Sequence, residues 1–363
     1  MTAATVDAQV EAVCEEVVLG VDTHQQTHHA ALVSMTGTRL ADREFAATAA
    51  GYTQLWAWAS GYGRIQRAGV ESSASYGAGL TRMLTATGVE VIEVNAPDQV
   101  VRHAAGKTDQ IDAYNAAMAV LSGRATARAK DTTGVIESIR MLFRTRESAV
   151  ESRKVVMGQI RDLCTTAPAA IAEELVGKKS LAARLGVIDS LPEPQRSALG
   201  DPVTAFARAT QALAARYRAL TTEIDQVTRD LDSLVAVTTP TLIAAPQIGT
   251  ISAAQFLITV GENIDRMGSE ASFAKLCGVA PLPASSGKSS RHRINKGGDR
   301  QANSKLHLIA VGRLKNHPPT LAYAARRKDE LNSKKDLIRC LKRYIAREVF
   351  AALKTDLGAL DKL

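Results

Sequence analysis

The sequence predicts an α/β domain built on a mixed sheet, followed by a mainly helical half. Three observations lead there. Three strand-like runs follow one another near the start, Val17–Asp22, His28–Ser34 and Arg39–Phe45, with turn residues such as Gly37 between them. Helical and strand-like segments then alternate as far as Leu121. Beyond Thr133 the periodic stretches are helical and heavily charged.

Taken in order, residues 1–16 form a loose acidic leader ahead of the first strand. Thr48–Trp58 is predicted as a helix capped by Thr48, Gln66–Glu71 as a strand, and Tyr76–Thr87 as a helix. Val89–Val94 is a strand, Pro97–Ala104 a short helix, and Asp109–Leu121 a further helix. Three strands, helix, strand, helix, strand and helices is the element order of the ribonuclease-H-like fold, a mixed sheet covered by helices. A helix over 133–166 comes next, then turn signals at Pro168, Gly177, Gly186, Pro192, Pro194 and Gly200. Pro202–Val235 carries Leu213, Leu220, Ile224, Val227, Leu231 and Leu234 at the spacing of a coiled-coil seam. The two long helices predict an antiparallel or inter-subunit coiled coil, or a plain helical bundle within one domain.

Thr239–Pro240 breaks the helix, and residues 242–254 resemble a helix-hairpin-helix with Gly249 in its turn. Such a turn lets amides at a helix N-terminus approach a phosphate. A Ser- and Gly-rich basic stretch over 283–298 leads into a helical, basic end. The expected division is residues 1–130 as the α/β domain, 131–237 as a helical coiled-coil region and 238–363 as a C-terminal domain.

Net charge is +8, with a sequence pI of about 9.3. The excess is unevenly placed: from Ser285 to Tyr344 there are 16 Lys and Arg against 4 Asp and Glu. That asymmetry favours a polyanionic partner over a merely solvated helical face. Aromatic residues are scarce at 4%, which argues for backbone and shape contacts rather than binding mainly by base stacking. Cys14, Cys164, Cys277 and Cys340 are far apart and show neither zinc nor disulfide spacing. No basic-then-apolar leader and no membrane-length apolar run occurs, so a soluble, cytoplasmic protein is expected.

Acidic groups mark the candidate chemistry. Asp22 and Glu71 each end an apolar strand, and Asp109 and Asp112 sit three apart at a helix start, facing one way. Carboxylates arriving from three segments can hold divalent cations, and within a basic chain this points to phosphoryl transfer on nucleic acid. All-oxygen donors favour Mg²⁺ or Mn²⁺. Each acid taken alone is ordinary, since helix starts favour carboxylates anyway. His24, His28 and His29 lie close to Asp22, so a mononuclear histidine site is the alternative, against solvated or core-edge histidines. Lys107 is placed to contact a scissile phosphate, or is a surface lysine.

A second candidate is the run Ala284-Ser285-Ser286-Gly287-Lys288-Ser289-Ser290-Arg291-His292-Arg293-Ile294-Asn295-Lys296-Gly297-Gly298. A serine beside glycine leaves room for a phosphate, and the flanking cations Lys288, Arg291, Arg293 and Lys296 would neutralise it. A flexible basic loop touching phosphates is the plainer reading.

At this point the chain resembles the DEDD transposases of the Piv/MooV type, the insertion-sequence recombinases guided by a bridge RNA. The resemblance rests on Gly20-Val21-Asp22-Thr23-His24, Val70-Glu71-Ser72, Lys107-Thr108-Asp109-Gln110-Ile111-Asp112-Ala113, Pro246–Ala254 and Phe273–Pro281. Ser285-Ser286-Gly287, followed by Ile294-Asn295-Lys296-Gly297-Gly298-Asp299, completes it, so that it runs over about residues 17 to 330. It implies a RuvC-like N-terminal domain, a coiled coil and a C-terminal transposase domain. It also implies metal ligands at Asp22, Glu71, Asp109 and Asp112, a nucleophilic serine at Ser286 with Ser285 one register away, and an active centre assembled across a homo-oligomer. The implied partners are donor and target DNA and a structured guide RNA. After Gly298 the chain departs from the usual Arg-rich run, reading Asp299-Arg300-Gln301-Ala302, which leaves open how Arg300 and its neighbours meet nucleic acid. The competing expectations are a RuvC-like junction resolvase without a covalent serine step, and an architectural nucleic-acid-binding protein on a degenerate nuclease fold.

Overall fold

The structure is a computed structural model describing residues 15–94, 108–284, 292–293, 295–328 and 333–360. It resolves into two compact units, Met1–Ile136 with Val260–Phe273, and Glu137–Thr259 with Ala274–Leu363.

The first unit is built on a five-stranded sheet: β1 (Glu16–Thr23), β2 (Thr27–Ser34), β3 (Arg39–Ala46), β4 (Arg64–Glu71) and β5 (Glu90–Val94), in the order β3-β2-β1-β4-β5. The first three form an antiparallel meander, while β4 runs parallel to β1 and β5 parallel to β4. This is the mixed sheet that the element order predicts. Helices α1 (Ala49–Ser60), α2 (Ala78–Ala86) and α3 (Asp109–Leu121) are its described helices. Thr48 caps α1, its hydroxyl accepting from the Gly51 amide. The predicted helix over Pro97–Ala104 lies outside the described residues.

The sheet separates two apolar layers. Leu19, Val21, Leu32 and Val70 join Leu55, Leu80 and Leu84 on one face. Val18, Ala31, Val33 and Ile92 meet Ala113, Ala116, Ala117 and Val120 of α3 on the other. Small residues let α3 lie close to the strands. A Cβ at Gly20 would sit 2.1 Å from the Ala113 carbonyl oxygen, and one at Gly69 would sit 2.6 Å from that of Ala116. The segment 260–273 joins this unit partly through Asn263, whose amide donates to the Ala129 carbonyl (2.8 Å).

The second unit is helical. Helices α4 (Gly134–Thr165) and α7 (Pro202–Thr238) run antiparallel, with Arg146 bonded to Thr228 and Arg153 to Thr221. Between them the turn-rich stretch holds two helices that the sequence analysis left unassigned, α5 (Ala169–Leu175) and α6 (Leu181–Ser190). They form because Ser180 caps α6 and because Ile171, Val187 and Ile188 bury an apolar face. The seam residues Leu213 and Leu220 pack with Val156, Ile160 and Ile188 of the same chain. This part of the seam therefore packs in an antiparallel pair within one chain, with Leu213 and Leu220 left partly buried.

The rest comprises α8 (Pro240–Ile243), α9 (Thr250–Val260), α10 (Glu270–Leu276), a two-residue ladder of β6 (Leu282–Pro283) and β7 (His292–Arg293), then α11 (Arg300–Asn316), α12 (Pro318–Arg326) and α13 (Lys334–Leu360). Asp299 caps α11 by accepting from the Gln301 and Ala302 amides. Buried Asp356 of α13 accepts from the Thr239 hydroxyl (2.7 Å) and from the Thr241 and Leu242 amides, so the end of the chain is fastened to the start of α8. Among the described residues no helix is long and apolar enough to cross a membrane.

Candidate active site

Four acidic side chains reach one end of the sheet by separate routes. Asp22 sits near the end of β1, beside Glu71 at the end of the parallel strand β4, since Val21 pairs with Val70. The Thr23 hydroxyl donates to the Glu71 carbonyl at 2.8 Å, fastening the two strand ends. Asp109 and Asp112 occupy the first turn of α3, where the helix dipole favours carboxylates. Thr108 caps that turn, its hydroxyl accepting from the Ile111 amide (3.2 Å).

A second network fixes α3 against the strands. Asp42 of β3 accepts from Gln110 (2.6 Å) and Tyr114 (3.2 Å) of α3 and is bonded to His29 of β2 (2.8 Å). Burial alone would raise the Asp42 carboxyl. The hydrogen bonds from Gln110, His29 and Tyr114 outweigh it and hold the group below its usual range. Tyr114 is pushed up to about 12 by burial, then by the charge and hydrogen bond of Asp42.

Asp22 and Asp112 are buried, whereas the Asp109 side chain is 48% exposed. The Asp22 carboxyl is raised, first by burial. His24 pulls it down, the charges of Asp109 and Asp112 raise it, and a hydrogen bond to the Glu71 side chain lowers it. Asp22 thus feels each of the other three predicted acids.

His24 is drawn in with them. Its Nε2 lies 3.2 Å from Asp22 Oδ2 and 3.4 Å from Asp109 Oδ1. One ligand atom each from Asp22, His24 and Asp109 fall within 4.8 Å of one another, so these three can hold a metal ion. The sequence signal is the two-residue step from Asp22 to His24, which puts both on one side of an extended chain. His28 and His29 go elsewhere. His28 is buried, stacked on Tyr52 and bonded to the Thr27 carbonyl, and burial lowers its pKa. His29 belongs to Asp42. The motif residue Ser72 follows Glu71 at φ 52°, in the left-handed region, which its place in the sequence did not foretell. Its carbonyl accepts from the Ser75 and Gly77 amides, turning the chain sharply away behind Glu71.

The remaining candidates divide. Lys107, Ser285, Ser286, Lys288 and Arg291 lie outside the described residues. Arg293, Lys296 and Arg300 are exposed in the second unit, as is Gly249 at the start of α9, whose carbonyl accepts from the Ser252 and Ala253 amides.

Two family models match the chain. One, an IS110-type DEDD transposase, takes residues 19–167, and the other, described as Transposase IS116/IS110/IS902 family, takes residues 240–325. The chain belongs to this transposase family. Within it, the first matched segment of the transposase contains the whole acidic cluster, and the second contains Gly249, the serine pair, Arg293, Lys296 and Arg300. None of the curated proteins matches the chain. A transposase acts on DNA, which accords with the basic second half of the sequence.

Proposed function

We propose that this insertion-sequence transposase cuts and rejoins DNA with a serine nucleophile beside a divalent-metal centre. The reading extends to the Piv/MooV type, with a structured guide RNA choosing the DNA. The observation that carries it is the meeting of Asp22, His24 and Asp109, with Glu71 and Asp112 close enough to act on Asp22. A buried carboxyl, raised by burial and by its acidic neighbours, is in an environment that a cation would relieve. The carboxylate oxygens suit Mg²⁺ or Mn²⁺, and the one imidazole nitrogen beside them favours Mn²⁺ of the two.

When bound, such an ion supplies charge stabilisation at phosphorus and a more acidic attacking hydroxyl. The residues do the rest. Asp22, Glu71 and Asp112 are the more enclosed part of the donor set, and Asp109 stands at its open edge. The Ser286 hydroxyl displaces a sugar oxygen from phosphorus and leaves a serine phosphodiester; Ser285 is the neighbouring register. A strand hydroxyl attacking that phosphorus releases the serine. Each step exchanges one phosphodiester for another, so no external energy is required. Lys107, Gly249, Lys288, Arg291, Arg293, Lys296 and Arg300 are assigned to the nucleic-acid backbone. The divisions 1–130, 131–237 and 238–363 are proposed as nuclease, coiled-coil and transposase regions of a cytoplasmic homo-oligomer. The homo-oligomer is proposed to form partly through the helices of 133–235, where Leu213 and Leu220 are only partly buried within the chain.

The test is to trap the reaction in denaturant and map any DNA-linked peptide. Ser286→Ala should retain DNA and RNA binding but lose cleavage and the adduct, while Asp22→Asn should lose cleavage in both Mg²⁺ and Mn²⁺. Efficient cleavage by the Ser285→Ala/Ser286→Ala double variant would replace this mechanism with that of a junction resolvase. Purified protein free of any discrete RNA would remove the guide.

A further inference from the structure

A cavity of about 700 Å³ opens in the second unit, well within the range of ligand pockets. Its wall runs from Gly278–Pro281 past Arg293 and Asn303 to the end of α12 and the first half of α13. Seven cations line it: Arg293, Arg326, Arg327, Arg339, Lys342, Arg343 and Arg347. No carboxylate is among its described lining residues. Six of the seven lie beyond residue 325, where the second family match ends.

The spacing is costly to the fold. Arg339, Arg343 and Arg347 repeat every four residues on α13, and like charges at that spacing destabilise a helix. Asp336 answers Arg339 at one end (2.7 Å). An anion in the cavity would lower that repulsion further.

The cavity also has an aromatic wall. Tyr323 and Tyr344 meet edge to face at 5.4 Å, and Tyr344 is 48% exposed. The Arg326 guanidinium stands 5.6 Å from the Tyr323 ring and that of Arg347 5.9 Å from the Tyr344 ring. The walls are fastened together: Lys342 donates to the Asn303 side-chain oxygen, and Asn303 donates to the Cys277 carbonyl (2.8 Å). Overall composition argues against base stacking, yet here two of the chain's seven tyrosines are gathered among guanidiniums. Guanidinium forks suit phosphates, and an accessible ring suits the face of an unpaired base. A duplex keeps its base faces stacked away and cannot use that ring.

We propose that this cavity binds unpaired nucleotides of a single-stranded nucleic acid, with phosphates against the α13 arginines and a base on Tyr344. This rests on the nucleic-acid reading above for the class of ligand and adds the site that takes it.

The test uses the full-length protein and fluorescence anisotropy with labelled oligo-U, oligo-dT and a dA·dT duplex of about 12 nucleotides, a length within known single-strand site sizes. Tyr344→Ala should weaken single-strand binding by about 5- to 150-fold, the loss of one stacked base, and move duplex binding less than about 2-fold. Tyr344→Phe should bind like the parent. Arg343→Gln/Arg347→Gln should reduce the single-strand salt slope by about 1.4, from two lost phosphate contacts. A larger Tyr344→Ala loss with oligo-U or with oligo-dT identifies the strand as RNA or DNA, and either supports the site. Equal losses on strand and duplex, or unchanged strand binding in both variants, would overturn it. So would displacement of oligo-U by uridine monophosphate at equal nucleotide concentration, which would make the occupant a free nucleotide. Thermal melting of each variant separates a lost site from a lost fold. Strand binding is read without added Mg²⁺ or Mn²⁺, so failure of the metal-centre mechanism leaves this result standing, and the reverse holds.

Discussion

Gly20→Ala tests whether the close approach of α3 to β1 builds the acidic site. The added Cβ would lie 2.1 Å from the Ala113 carbonyl oxygen, 2.4 Å from the Ala117 amide nitrogen and 2.8 Å from the Ala117 Cβ. Two of these are backbone atoms, so no side-chain rotation relieves the clash. The helix must retreat by about 1 Å to restore ordinary contact. Overpacking costs about 1–3 kcal/mol, and a clash against helix backbone belongs at the upper end. For a domain of this size that is a fall in Tm of roughly 6–12 °C. Because α3 carries Asp109 and Asp112, and Asp22 is two residues beyond Gly20, the same retreat opens the carboxylate cluster. Mn²⁺ affinity, followed by the electron-spin resonance of the free ion, should fall at least about tenfold, since an error of about 1 Å in a site can cost far more. Gly88→Ala is the control. It places alanine at φ 84° with nothing within 4 Å, so it should cost about 1–2 kcal/mol and leave Mn²⁺ affinity alone. A Gly20→Ala protein with parental Tm and parental Mn²⁺ affinity would refute the reasoning.

Other outcomes follow from the same geometry. Ultraviolet titration should show Tyr114 ionising near pH 12, and Asp42→Asn should bring it down while leaving it above 10, because burial, its largest cause, remains. The sign is that of a raised pKa: the Tyr114 contribution to stability is complete below about pH 10 and is lost as pH rises through about 12. Asp356→Ala removes the acceptor of three hydrogen bonds, two of them from buried Thr239 and Leu242, and should cost about 3 kcal/mol or more in urea unfolding; a cost below about 1 kcal/mol would mean that water replaces the carboxylate. His24→Ala should weaken Mn²⁺ binding and abolish nitrogen modulation in pulsed spin-resonance spectra of the bound ion, whereas His29→Gln should keep that modulation. Parental protein without nitrogen modulation would exclude His24 from the metal.

Much of this molecule is legible in one dimension because its signals are local. The apolar run of β1 and the strand-like runs after it, the Thr48 cap and the start of α3 after Thr108 each depend on residues within a turn or two of one another. The acids were legible by position, since strand ends and a helix start lie on the same rim of such a sheet. The stretch between α4 and α7 was not legible, because α5 and α6 are held by Ile171, Val187 and Ile188 packing against distant Phe206 and Ile160. The seam of α7 was visible, but the sequence could not say whose side chains would fill it.

What the sequence by itself determined is the element order, the acidic set Asp22, Glu71, Asp109 and Asp112, and the basic bias of the second half. These are properties of residue type and near spacing. Tertiary structure alone decided that His24 turns toward Asp22 and Asp109 while His28 stacks on Tyr52, that α7 spends its seam on α4 and α6, and that Tyr323 and Tyr344 share a wall with seven cations. The physical reason is the same in each case. Burial, charge and contact depend on atoms brought together across tens to hundreds of residues, and only the packed chain sets which of them meet.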